Sequence, residues 1–232
     1  VAVQDITTHA TEAAWAARDG IRYLVGMDEV GRGALAGPVG VGAVRVDAQA
    51  LAEAVARDAD DVPAGLRDSK QVPLRRRGAL AETVAAWRPQ HAVAYASPQE
   101  IDAVGISLAL ALAGRRALAA LAHHGPVDHV LLDGSHDWLS APLTLDAMVV
   151  FGEALDVDVP PVTTIVKGDA SVATIAAASV LAKVQRDAHM QELDGLAPGY
   201  GWASNAGYGS AAHREAIRTL GITDHHRRSW SL

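Results

Sequence analysis

Gly26-Met27-Asp28-Glu29-Val30-Gly31-Arg32-Gly33, followed closely by Ala36-Gly37-Pro38, is the stretch on which the fold of this chain turns. Tyr23–Val30 reads as a buried strand that ends in a glycine-rich turn. Pro38 bars a helix from starting freely after the turn, and Val39–Val46 reads as a second strand, so the two form a hairpin. The spacing Gly31-x-Gly33-x-x-x-Gly37 resembles a dinucleotide fingerprint, but that motif must open a helix, and here a proline and a strand follow. Two readings of the turn stay open. It is a tight hairpin connection, or it is a loop whose glycines let the backbone approach a ligand while Arg32 meets a phosphate.

Working outward, Ala50–Pro63 is an acidic, helix-prone connection, and Pro73–Trp87 reads as a helix with proline in its favoured first turn. His91–Ser97 is a third strand. Ser97-Pro98 caps a helical region running to about His123, with a break expected at Gly105. Asp128–Asp133 and Val162–Lys167 are further strands, Asp169–Leu193 a long helix, and Ser210–Leu220 a shorter one ending at Gly221. A three-strand meander followed by alternating strands and helices predicts an α/β fold, with helices packed on a mixed central sheet and a helical C-terminal region. Gly134–Pro161 is too long for a routine connection and reads either as an ordered insertion or as a mobile loop.

Half of the 232 residues are hydrophobic, enough for one substantial core. The absence of cysteine excludes a disulfide framework and a thiolate zinc site, and suits a reducing cytosol. Ile175–Val184 stands out as the most apolar helix candidate, and Lys183 and Arg186 end it too early to span a membrane. The opening Val-Ala-Val-Gln-Asp has no basic region followed by an apolar run, so no signal peptide is expected and a cytoplasmic location is.

A net charge of −7 argues against a nucleic-acid partner at face value. The distribution weakens that argument. Asp137, Asp146, Glu153, Asp156 and Asp158 lie between Gly134 and Val166 with no lysine or arginine; without those five acids, −7 becomes −2. Basic residues gather instead at Arg75–Arg77, Lys183–Arg186, Arg214–Arg218 and Arg227–Arg228.

Four acids fall at strand ends or just past them: Asp28 and Glu29, Asp133, and Asp169. Carboxylates gathered there repel one another unless cations fill the gap, and oxygen donors of this hardness suit Mg²⁺ or Mn²⁺. Two such ions roughly 4 Å apart can drive an in-line displacement at phosphorus. Taken singly, each acid also reads as a helix cap or turn residue; Asp133-Gly134 is a common turn pair. Asp28 and Glu29 point to opposite faces of a regular strand, so both reach one site only if the strand ends or bulges there. Asp187 lies deep in the long helix, where it can hold Arg or Lys partners. The pairs His123-His124 and His225-His226 lack helical ligand spacing and read as surface residues. Ser135-His136-Asp137, being consecutive, cannot form a hydrogen-bonded triad. Arg75-Arg76-Arg77 reads more readily as a solvated helix face than as a binding patch, with a place flanking the nucleic acid as the other reading.

Several motifs in one order carry a family resemblance. The opening stretch, Asp68-Ser69-Lys70, Leu132-Asp133-Gly134 and Lys167-Gly168-Asp169 are followed by Ala176-Ala177-Ala178-Ser179 and Ala182-Lys183-Val184-x-Arg186-Asp187. Gly207-Tyr208-Gly209-Ser210-x-x-His213 and His226-Arg227-Arg228-Ser229-Trp230 complete the set. From about Tyr23 to Trp230 the chain resembles ribonuclease HII. The resemblance implies a ribonuclease H-like fold, with one catalytic domain over 20–232, a helical C-terminal region from about 190, an acidic insertion over about 135–160 and an N-terminal extension over 1–19.

It also implies an endonuclease that cuts the RNA strand of RNA–DNA hybrids and cuts DNA duplexes at single embedded ribonucleotides, leaving 3′-hydroxyl and 5′-phosphate ends. Its metal ligands are then Asp28, Glu29, Asp133 and Asp169, with Mg²⁺ or Mn²⁺ as cofactor in a two-ion site. Gly31, Arg32 and Gly33 contact the ribonucleotide 2′-hydroxyl and adjacent phosphates. Tyr208 packs on the neighbouring deoxyribose, and Lys70 meets a phosphate, held by its turn with Ser69. A monomer with no membrane partner is expected. Ser210 stands where the family usually has threonine and keeps the hydroxyl. The stretch from Asp133 to Asp169 is longer than expected for a bacterial member, and its acidic part should lie away from the nucleic acid. A silent binding module on the same fold is the competing reading, opposed by the intact acids. Ribonuclease HIII, with its added N-terminal domain, is set aside because only about twenty residues precede the first strand.

Overall fold

The computed structural model describes residues 8–18, 20–59, 61–66 and 74–232. Asp68, Ser69 and Lys70 lie outside them. Two strands, β1 (Tyr23–Val30) and β2 (Val39–Asp47), pair antiparallel from Tyr23↔Asp47 to Val30↔Gly40, which is the predicted hairpin. The third strand, β3 (His91–Ala96), adds antiparallel to β2, while β4 (His129–Asp133) and then β5 (Val162–Ile165) add parallel on the β1 side. The sheet order is β3-β2-β1-β4-β5. The carboxyl ends of the neighbouring parallel strands β1 and β4 therefore lie at one edge, where open sheets present their ligand sites.

Central strands buried on both faces read as apolar runs rather than alternating ones, as β1 does. Val25 and Met27 face one core with Val130 and Leu132, beneath helix α4 (Pro98–Leu121). Leu24, Val44 and Leu131 face the other. That second core is covered by α7 (Ala173–Leu196), with α1 (Ala10–Trp15), α2 (Ala48–Ala56) and α3 (Leu74–Trp87) around it. Helix α7 comes unusually near the sheet because glycines lie under it. A Cβ on Gly26 would strike Thr174, and one on Gly42 would strike the carbonyl of Ala178.

Gly105 interrupts α4 with φ 78° and ψ 163°, as its sequence position suggests. This helix corrects one expectation: the stretch Pro98–His124, not the segment at 175–184, is long and apolar enough to cross a membrane, but half of its most apolar window is buried against the sheet. A second difference concerns the long helix after β5. It is broken into α6 (Gly168–Ser171) and α7 by Val172, whose backbone is extended (φ −110°, ψ 119°) and bridges to Thr8. That partner comes from over 160 residues away, so no local signal announced the break.

Gly134–Pro161 is ordered. Trp138 and Leu139 are buried over Gly114, α5 (Leu145–Phe151) packs on α4, and Arg115 donates to the carbonyls of Val157 (3.0 Å) and Ala154 (3.4 Å). The helical C-terminal region contains α8 (Trp202–Asn205) and α9 (Ala211–Leu220) around Trp202, Tyr200 and Met190. Ser210 caps α9 by accepting from the His213 amide at 3.2 Å.

Candidate active site

Asp28 lies near the end of β1 on the α7 face and is 8 % exposed. Burial pushes its pKa well above the ordinary value; a hydrogen bond from Ser179 opposes this, and the charges of Asp133, Glu29 and Asp169 raise it further. Asp133 ends β4, one step beyond the Met27↔Leu132 pair, so it is the cross-strand neighbour of Asp28. The backbone N–H of Asp169 donates to Asp133 Oδ1 at 3.3 Å. Lys167, just before, adopts a left-handed conformation (φ 58°), and a side chain on Gly168 would collide with Ile175. Local strain of this kind persists only where the surroundings fix it. The structure thus sets Asp28, Asp133 and Asp169 near enough to act on one another electrostatically.

Glu29 turns to the rim, where its Oε1 lies 3.5 Å from Arg32 Nη1. The ladder pairs without interruption through Val30, so no bulge forms; the strand ends one residue after Glu29 instead. Among the described residues, no three carboxylates or imidazoles converge into a ready-made metal cage. What the site offers is a buried, electrostatically strained carboxyl in a group of acids.

A cavity of about 380 Å³ opens beside Asp28 and Glu29 and is lined by Gly31–Gly33, Ser179, Lys183 and Tyr208. Lys183 is held by Asp187 at 2.6 Å, and Arg77 lies 3.8 Å from the same carboxylate, so Asp187 takes the partner-holding role its position suggested. Tyr208 is 38 % exposed, with Lys183 Nζ 6.0 Å and Arg186 Cζ 5.7 Å from its ring centre. A larger cavity of about 590 Å³, beside Tyr95 and His189, contains none of the four acids.

Two buried arginines build the Gly31–Gly33 loop from behind. Arg227 donates to the carbonyls of Gly31 (2.7 Å), Arg32 (2.9 Å) and Gly37 (3.1 Å). Arg186 donates to those of Pro38 (2.9 Å), Ala36 (3.2 Å) and Ala206 (2.9 Å), and Gly31, at φ 79°, has no room for a Cβ beside it. Burial pulls both guanidinium pKa values down, yet a guanidinium remains charged at neutral pH. Leu35 N donates to Gly207 O at 2.8 Å, joining the loop to the chain beside Tyr208.

Sequence reasoning assigned these arginines no role. Arg186 carried a signal, since it shares the buried stripe Ala182, Met190 and Leu193 at helical spacing. It also left Ser179 and Lys183 without a role. His226 corrects the surface reading: it is buried, its Nε2 lies 3.3 Å from His213 Nε2, and the Thr223 amide donates to its Nδ1 at 3.0 Å. Trp202 Nε1 also donates to His213 Nε2, at 3.0 Å, so that nitrogen is an acceptor and His213 Nδ1–H donates to the Tyr208 carbonyl at 2.9 Å. His123 is exposed, as expected.

Residues 25–232 match the family model for ribonuclease HII. The chain belongs to the ribonuclease HII family. A ribonuclease HII from Streptomyces avermitilis is 42% identical over 97% of this chain and 83% of its own length. One from Paracoccus denitrificans is 44% identical over 93% and 88%. In fold, the chain is similar to the ribonuclease H2 of Pyrococcus horikoshii, with TM-score 0.64 and 24% identity over 90% of this chain and 93% of that one. It is also similar to Bst-RNase HIII in complex with Mn²⁺, with TM-score 0.65 and 22% identity over 96% and 70%. As a member of that family the chain is a hydrolase, an endoribonuclease of RNA–DNA hybrids, and the family is typically dependent on divalent metal.

Proposed function

We propose that the enzyme works through two Mg²⁺ or Mn²⁺ ions held by Asp28, Glu29, Asp133 and Asp169, and that it also cuts 5′ of a single ribonucleotide within duplex DNA. The observation carrying this reading is the buried Asp28 carboxyl, raised in pKa among other acids, on the same cavity as Gly31–Gly33 and Tyr208. Ionising that carboxyl needs nearby positive charge, and hard oxygen donors suit small divalent cations. When bound, the ions activate the attacking water and neutralise the leaving oxygen.

The chain's own residues do the positioning. Ser179 orients Asp28, and the amide of Asp169 orients Asp133. Lys183, fixed by Asp187, offers its charge to a phosphate across the cavity. A Cβ on Gly33 would meet no protein atom, so internal packing does not demand glycine there; close approach of a substrate does. The loop's exposed backbone suits a 2′-hydroxyl, the group that distinguishes RNA from DNA at one position. Tyr208 stands beside it to pack on the adjoining sugar. Ser69 and Lys70 are proposed as further phosphate contacts on family resemblance alone.

The acidic segment 134–161 packs on α4, across the sheet from the α7 residues Ser179 and Lys183, which keeps its repulsion off the substrate path. The assay is a DNA duplex with one ribonucleotide, incubated with Mg²⁺ or Mn²⁺. Cleavage on its 5′ side is expected; none under either metal refutes the proposal.

A further inference from the structure

We infer that Glu12 is a positioning residue for Asp169, because the amino-terminal helix supplies the cap that α7 lacks. Helix α1 lies outside the family match, which begins at residue 25. Yet Glu12 is wholly buried, and its Oε1 accepts from the Thr174 amide (2.9 Å) and the Thr174 hydroxyl (3.0 Å). Thr8 bridges to Val172, and its carbonyl accepts from the Ala173 amide at 3.2 Å. The first N–H groups of a helix have no partner within it, and α7 has no side-chain cap of its own at Val172. Residues 8 and 12 satisfy two of these groups.

The same contacts hold Val172 extended, and that extension separates α6 from α7. The sequence from Asp169 to Leu193 otherwise favours one continuous helix, which would swing Asp169 off the Asp133 carboxylate that its amide now meets. Thr174 is wedged against Gly26, so the brace also bears on β1 two residues before Asp28. Glu12 thus acts at a distance on the acid group, through the helix start.

The inference rests on Asp169 being a metal ligand, and the test separates the two. Mn²⁺ binding is measured by the paramagnetic resonance of the free ion, and amide hydrogen exchange by mass spectrometry across residues 166–176. Glu12→Ala should weaken Mn²⁺ binding on the order of tenfold, the range for losing a group that orients a ligand, and should speed exchange at Ala173 and Thr174. Glu12→Gln keeps an acceptor oxygen and should restore both. Thr174→Val, losing only the hydroxyl, should shift both less, in the same direction; it decides the matter if Glu12→Ala does not fold. Leu51→Ala, in the same core, controls for lost stability and should leave Mn²⁺ binding unchanged.

Unchanged Mn²⁺ binding in folded Glu12→Ala or in Thr174→Val, or an equal loss in Leu51→Ala, overturns the inference. If Asp169→Asn weakens Mn²⁺ binding but Glu12→Ala does not, only the role of Glu12 falls. If Asp169→Asn binds Mn²⁺ normally, the ligand role of Asp169 falls and this inference with it.

Discussion

Arg227→Met removes the fork behind the Gly31–Gly33 loop while filling most of its volume. Three carbonyls lose a charged donor, those of Gly31, Arg32 and Gly37. The losses are unequal. The bond to Arg32 O is only part-buried, so losing it costs less than losing a fully buried one, and Gly31 O keeps the Ala34 amide at 3.2 Å. Gly37 O is buried and loses its side-chain donor outright. An unsatisfied buried carbonyl costs about 1–3 kcal/mol, and a hydrogen bond to a charged group contributes about 1.5–3. Relief from burying the guanidinium offsets part of this. The net expectation is about 2–3 kcal/mol lost, a large share of a domain stability of about 5–15. Urea unfolding at neutral pH reads that number. Initial rates on a long hybrid and on a single-ribonucleotide duplex read the loop, and the second should fall further if, as proposed, that substrate is held by one 2′-hydroxyl contact. A variant within about 0.5 kcal/mol of wild type, with an unchanged ratio of rates, would refute the claim that Arg227 shapes the loop.

Three further outcomes follow from the geometry. Asp28→Asn should abolish cleavage while hybrid binding, followed by fluorescence anisotropy, largely survives; normal cutting would remove Asp28 from the ligand set. Tyr208→Ala should slow cleavage at a single ribonucleotide more than in a long hybrid, and equal losses would count against its junction role. Burial holds the His226 pKa down to about 4 from 6.5, with His213 shifted the same way. The unfolded chain therefore takes up protons first as pH falls: the stabilisation is complete above pH 6.5 and is lost progressively towards 4, at most about 3 kcal/mol from His226. Urea titrations at pH 7 and 5 should show this loss, and His226→Gln should flatten it.

Most of the fold was legible because its signals are local. Apolar strands, Pro38, the Ser97 cap and Gly105 each act within a few residues, and the strands and caps fall close to where those signals put them. What stayed hidden depends on partners distant in sequence. The break at Val172 is imposed by Thr8, and the loop after β1 is shaped by arginines more than 140 residues downstream. His226 looked like a surface residue because an adjacent histidine pair has no periodicity to reveal which member is buried. Of the candidate site, the nearness of Asp28, Asp133 and Asp169 followed from their places at strand ends; the carbonyls that Arg186 and Arg227 satisfy could not be read, since any residue type has a backbone carbonyl.

Those two arginines also bear on how a chain of net charge −7 accepts a polyanion. Their guanidinium hydrogen bonds go to carbonyls, with no carboxylate among them, so among the described residues two positive charges stand behind the loop without an ion-paired carboxylate, Asp187 and Asp102 acting on them only at longer range. In a poorly polarisable interior such charges act over longer distances than surface lysines do. They offset the acids of the site from one side and favour phosphate at the loop's outer face. Geometry and charge can then be separated at one position. Arg227→Lys keeps the charge but replaces a planar fork with a compact ammonium that cannot span three carbonyls. It should lose nearly as much stability as Arg227→Met, yet hold hybrid more tightly at low salt, with the advantage shrinking as salt rises. Equal affinity of the two variants at low salt would mean that the buried charge serves the loop's shape and nothing more.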